Sequence, residues 1–199
     1  MTVEVGTNEV VDREASPSSD DGPTLVDTLA NLVVRLGGRT GREVAAVGLG
    51  VAGLAHQSGV VHYSPNLPGL GGFPIGPELQ KALGVPVVVG NDATAGTFAE
   101  WQLGAGRDAD NFAMVTLGTG IGTGFVVDGR LLRGASGFAG ESGHMVVDVN
   151  GPAHRTGQRG PWEYFASGTA LDRLGRNAAA SGEFPWGAVS YTHLRAHET

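Results

Sequence analysis

The sequence contains no cysteine. Disulfide bonds and thiolate metal sites are therefore excluded, and the lack fits a cytoplasmic protein. No apolar stretch reaches the ~18 residues of a membrane span, and the N-terminus has no secretory-leader pattern. No membrane partner is expected. Positive charge is also scarce. Thirteen Lys and Arg face twenty Asp and Glu, for a net charge of −7, and the basic residues are scattered. A nucleic-acid surface needs them clustered, so none is expected.

Glycine is the residue in excess, at 34 of 199, where ~7% is usual. It follows no collagen period, and apolar runs separate the glycines. Tight turns and close backbone approaches follow from that. Hydrophobic content of 41% with 17% charged residues is ordinary for a soluble globular chain. The length suits one domain or two small ones.

Periodicity gives the coarse layout. Thr2–Val5 and Glu9–Arg13 read as short strands around a turn at Gly6–Asn8, followed by a polar loop over Ala15–Pro23. Apolar residues at 25, 26, 29, 32, 33 and 36 predict a helix over Leu25–Leu36, ended by Gly37-Gly38. Val44–Val51 and Val85–Val89 read as buried strands, and Val60–Tyr63 as a weaker one. A loop over Ser64–Pro74 and a short helix over Pro77–Leu83 lie between. Ala93–Leu103 predicts a helix with Asp92 near its N-cap. Phe112–Leu117, Gly124–Asp128 and Met145–Val149 read as strands. Trp162–Ser167 and Thr169–Ala180 read as helices broken at Gly168. Alternating strands and helices give an α/β class.

Four motifs carry candidate chemistry. In Gly90-Asn91-Asp92-Ala93 a carboxylate ends a strand and opens a helix, where α/β sheets bind ligands. The helix N-terminus favours the anion, and an anion there can take a proton from a substrate hydroxyl. Taken alone, Asp92 reads as a helix cap. Leu117 to Gly124 alternates Gly with Thr and Ile between two strands, so backbone amides can approach an anion. No Lys follows the glycines and no helix opens there, which excludes a P-loop and a dinucleotide fingerprint. A plain hairpin is the bland reading.

Glu141 and His144, with Glu163 further on, can accept hydrogen bonds from sugar hydroxyls, although an isolated Glu–His pair is more often a surface contact. Asn66, in Ser64-Pro65-Asn66-Leu67, offers an amide but alone reads as a turn residue.

Together these motifs resemble the ROK (repressor, open reading frame, kinase) family of sugar kinases, bacterial glucokinase type. The stretch LGTGIGTGFVVDGRLLRGASGFAGESGH is similar to the family's signature. SPNLPG and GNDATAG precede it in the family's order, and GQRGPWEYFASGTAL follows. The resemblance implies an actin-like, ribonuclease-H-like ATPase fold with two lobes. It assigns Asp92 as catalytic base, with Asn91, Glu141, His144 and Glu163 on sugar hydroxyls and Asn66 as a weaker contact. Gly118, Thr119 and Gly120 would face the phosphates of ATP, which is used with Mg²⁺. The implied substrate is glucose or a related hexose, and the implied assembly a possible homo-oligomer.

The sequence departs from the family in three places. The family's Asp-x-Gly-Gly-Thr phosphate loop has no match, and the adenosine-side glycines of the large lobe are absent. Both lobes are therefore expected to be incomplete. The small one would span 1–90, the large one 91–188, and the chain alone is expected to have little or no kinase activity. Third, the family's zinc-binding cysteines correspond here to His154, Thr156 and Pro161. Only His144 and His154 could ligate, and a closed structural site needs four ligands, so structural zinc is not expected.

Residues 189–199, VSYTHLRAHET, read as a non-native tail resembling translated adapter sequence, the alternative being a natural polar terminus. A sugar-responsive ROK repressor is the competing function, although such repressors often lose the catalytic Asp. A kinase for another hexose, or one using polyphosphate, are further alternatives.

Overall fold

The computed structural model describes residues 1–154 and 156–181. The expected tail, and the last residues of the expected second lobe, lie outside them. Strands β1 (Thr2–Val3) and β2 (Val10–Asp12) pair antiparallel as expected, around a turn where Asn8 takes a φ of 60°. Helix α1 (Gly22–Thr40) begins earlier than its apolar spacing predicts. Asp21 caps it, accepting the Thr24 amide at 3.0 Å, and a proline sits in the first turn where its missing N–H costs nothing. The helix also outruns Gly37-Gly38 and stops at Gly41, whose φ of 63° is the left-handed stop. Two consecutive glycines weaken a helix without ending it. Arg35 and Arg39 reach back to Glu14 and Asp12, exposed pairs of little weight for stability.

Strands β3 (Val47–Val51) and β6 (Val87–Asn91) run parallel, with Val47 opposite Val87 and Val51 opposite Asn91. Each begins later than its apolar run suggests. The expectation that both are buried holds for one face: Val51 and Val89 are 7% exposed, whereas Val88 is 61% exposed. Between them come the antiparallel pair β4 (Leu54–Ala55) and β5 (Val61–Tyr63), a 3₁₀ turn at Pro68–Leu70, and α2 (Ile75–Leu83), closed by Gly84 at φ 70°. Leu25 and Val26 of α1 join Val51, Val61, Leu70, Ile75, Leu79 and Val89 in one core. Each fully buried Val, Leu or Ile contributes about 1.5–3 kcal/mol.

The second half is built on a three-stranded antiparallel meander. It comprises β7 (Phe112–Leu117), β8 (Ile121–Val127) and β9 (Arg130–Leu131). β8 starts at Ile121 rather than Gly124, so two of the motif's glycines lie inside a strand. Their use is packing. Helix α3 (Asp92–Leu103) lies against β8. A Cβ on Gly122 would stand 2.6 Å from Thr116 Oγ1 and 2.7 Å from Ala93 Cβ. A Cβ on Gly124 would overlap the Thr97 hydroxyl, which is fully buried and donates to the Ala93 carbonyl at 2.8 Å.

Met145–Val149 does not form the expected strand. Its alternation finds no neighbouring strand; a single bridge joins Val146 to Pro161, and Met145, Val147 and Val149 are more than half exposed. Helices α4 (Trp162–Ala166) and α5 (Gly168–Ser181) follow. The expected break falls between them. Among the described residues, no helix is long and apolar enough to cross a membrane.

These two uses of glycine predict opposite outcomes on substitution. Gly124→Ala should lower the thermal midpoint, at a cost of about 1–3 kcal/mol for overpacking. Gly38→Ala meets open space at a helical φ and should raise stability by about 1 kcal/mol. Thermal unfolding followed by circular dichroism measures both.

Candidate functional site

The parallel pair β3–β6 ends at Val51 and Asn91, and α3 begins on the next residue. The helix cap is Asn91 and not Asp92. Asn91 Oδ1 accepts the Thr94 amide at 3.0 Å, and Nδ2 donates to the Gly53 carbonyl at 3.1 Å. The Asn91 side chain is thus held from both ends, with one amide hydrogen left over. Asp92 is released from capping. Its Oδ1 accepts the adjacent Ala93 amide at 2.9 Å, and the side chain is exposed. It stands at the carboxyl ends of parallel strands, the usual ligand crevice of such sheets.

The β7–β8 turn, Gly118 to Gly120, faces α4 and α5. The Gly118 carbonyl accepts the Gly168 amide and the Thr119 carbonyl accepts the Thr169 hydroxyl, both at 2.7 Å. Gly118 and Thr119 are exposed and Gly120 is half-buried. Just past the turn, the Ile121 amide donates to Glu163 Oε2 at 2.9 Å. A Cβ on Gly120 would overlap that same carboxylate oxygen. The glycine-rich turn therefore already receives one anion, the side chain of Glu163.

Glu141 opens a 3₁₀ turn over Ser142–His144. That turn is held on β8 through Thr123, whose hydroxyl donates to the Gly140 carbonyl and accepts the Ser142 amide. Burial pushes the Glu141 carboxyl above its ordinary range; His144 opposes the shift, while the negative charges of Asp92 and Glu163 add to it. His144 Nε2 lies 3.7 Å from Glu141 Oε2. His144 Nδ1 is buried with no hydrogen-bond partner. Asp92, Glu141, His144 and Glu163 thus form one electrostatic group. Asn66 is exposed on its loop, and no hydrogen bond among the described residues joins it to the group.

His154 completes the cluster, and its pairing with Glu163 is the feature that sequence reasoning missed. His154 Nε2 stands 3.6 Å from Glu163 Oε1, with the two side chains 12% and 13% exposed. Its sequence signal was only its place at a family zinc position. His144, His154 and Glu163 offer ligand-type atoms within 4.8 Å of one another. That set does not fit a closed structural zinc, which takes four ligands. Thr156 gives its hydroxyl to a contact with His154 Nδ1 at 2.9 Å and Pro161 has no ligand atom, so among the described residues His144, His154 and Glu163 lack a fourth.

The cleft lined by Pro77, Gln80, Lys81 and Pro86 lies at the other end of β6 from Asp92. It carries none of these groups.

A family model described as "ROK family" matches residues 2–188. The glucokinase of Streptomyces coelicolor is 36% identical over 178 residues, covering 85% of this chain and 55% of that protein. The xylose repressor of Bacillus subtilis is 35% identical over 147 residues, covering 74% of this chain and 38% of that protein. Among solved structures, a ROK family glucokinase from Streptomyces griseus in complex with glucose and AMPPNP matches with a TM-score of 0.71. It is 36% identical, and the match covers 83% of this chain and 53% of that one. The chain spans about half the length of the glucokinases it matches. Its fold is the actin-like ATPase fold of these relatives.

The half-buried Glu141 gives the site a pH signature. Its native pKa is raised, so its contribution to stability is present below the ordinary carboxylate range and lost as pH rises through the raised value. Glu141→Gln should therefore raise the thermal midpoint at about pH 8, and the gain should shrink toward about pH 4. Melting curves of both chains across that range check it.

Proposed function

Since the chain belongs to the ROK family, we propose that it carries the sugar site of an ATP-dependent hexose kinase acting on glucose, in the cytoplasm. One observation carries the reading. An exposed carboxylate, Asp92, stands at the end of a parallel strand pair, and two further carboxylates and an imidazole act on one another's charge beside it. A hexose presents several hydroxyls, and a site of this kind offers an acceptor or donor to each.

In this reading Asp92 is the general base. It accepts the proton of the sugar hydroxyl as the oxygen attacks the terminal phosphoryl group of ATP. Glu141, His144 and Glu163 bind the remaining hydroxyls. The uncommitted hydrogen of Asn91 Nδ2 adds one donor, and Asn66 a weaker contact. Such a site rejects epimers, because a displaced hydroxyl leaves a buried group unpaired. Gly118, Thr119 and Gly120 face the phosphates. ATP arrives as its magnesium complex, in which the metal neutralises charge on the transferred group.

The likeness to the xylose repressor supports a second reading, a sugar-responsive regulator that binds the same ligand without chemistry. Asp92 favours the kinase, since binding alone needs no base.

In the chain extended to the length of its relatives, Asp92→Asn should lower kcat for glucose by about 10²–10⁴-fold, with glucose affinity kept within a few fold. A coupled assay and calorimetric titration measure the two. Undiminished turnover in the variant contradicts the assignment of the base. Glucose binding by the parent without phosphoryl transfer favours the regulator.

A further inference from the structure

Where the resemblance implies a metal, this chain brings a histidine against a carboxylate. We propose that His154 is a positioning residue of the sugar site, its imidazole fixing Glu163 in the place where a zinc site would otherwise brace the loop. The inference rests on the sugar-site reading above for its functional consequence, but its structural core does not.

Glu163 is held from two sides. Oε2 takes the Ile121 amide at 2.9 Å, and the missing Cβ of Gly120 leaves room for that oxygen. Oε1 faces His154 Nε2 at 3.6 Å, with both side chains about seven-eighths covered. Without the imidazole, the single amide bond leaves the carboxylate free to turn about its own axis. With it, Oε1 also faces a polar edge 3.6 Å away, longer than a direct hydrogen bond, and the electrostatic attraction favours one orientation of the carboxylate.

His154 is itself located from behind. Its Nδ1 is 2.9 Å from Thr156 Oγ1, and its backbone N–H donates to the Gln158 carbonyl at 2.8 Å while Gly157 donates to its own carbonyl at 3.0 Å. The His144 ring lies beside it, with centroids 6.3 Å apart. The segment from Met145 to Pro161 is tied mainly within itself, for example by the Val147 and Gly160 amides donating to the Gly160 and Pro152 carbonyls at 2.9 Å, with bridges from Val146 to Pro161 and from Ala153 to Arg159. His154 thus couples that segment to the carboxylate next to the phosphate-side turn. A neutral or protonated imidazole can do this with Nε2 as donor, and no metal enters the arrangement.

The test compares the parent chain with His154→Ala and His154→Gln, folded state being checked by circular dichroism. The Ile121 amide proton reports the Glu163 carboxylate directly, because an amide donating to a carboxylate resonates downfield. In His154→Ala this resonance should move upfield and glucose affinity should fall roughly tenfold, the usual scale for losing a group that orients a binding residue. His154→Gln, which keeps an N–H donor, should restore most of both. EDTA should change neither signal in the parent.

An Ile121 resonance unmoved in His154→Ala overturns the proposal. So does failure of His154→Gln to restore it, or its displacement by EDTA with release of stoichiometric zinc. If the parent binds no glucose, the sugar-site reading fails, while the Ile121 signal still decides whether His154 positions Glu163.

Discussion

The close crossing of α3 over β8 is the contact on which the site depends. It exists because Gly122 and Gly124 present no side chain to Ala93 and Thr97. Thr97 is fully buried at that crossing and satisfies its hydroxyl within its own helix. The helix therefore lies directly on the strand, and its first residue, Asp92, comes to the same end of the meander as Ile121. From Ile121 the chain reaches Glu163 by one hydrogen bond. Through Thr123 it reaches the 3₁₀ turn that carries Glu141 and His144. A methyl group at either glycine would lift the helix and separate Asp92 from the rest.

The second constraint is electrostatic. Three carboxylates share this region, and Glu141, its pKa raised first by burial, is pushed further up by the charges of Asp92 and Glu163. Like charges held close together are unfavourable. Two imidazoles and one backbone amide offset that cost: His144 beside Glu141, His154 beside Glu163, and Ile121 on Glu163 Oε2. Such an arrangement suits a ligand that is neutral and rich in hydroxyl groups. It does not suit an anion, which would add to the repulsion. The β7–β8 turn, proposed to face phosphate, leaves Gly118 and Thr119 exposed.

Much of this was legible in the sequence, for reasons particular residues make clear. The α/β class, the end of β6 at Asn91-Asp92 and the grouping of Glu141, His144 and Glu163 follow from motif order, because each motif keeps its place on the backbone. The boundaries read less well. Gly37-Gly38 looks like a stop, but only Gly41 adopts the left-handed conformation that ends α1. Met145–Val149 alternates like a strand, yet pairing needs a neighbour and it has one bridge. Gly122 and Gly124 look like anion-binding glycines, and their function is visible only once α3 lies on them. The pairing of His154 with Glu163 spans two segments that sequence spacing does not relate.

The central claim is that Asp92, Glu141, His144 and Glu163 form one hydroxyl-binding site. A crystal structure of the chain with glucose tests it most directly. The account predicts sugar hydroxyls within about 3 Å of the Asp92 carboxylate and of both Glu141 and Glu163. Glucose bound elsewhere on the chain, or bound with Asp92 out of reach of every hydroxyl, would contradict it.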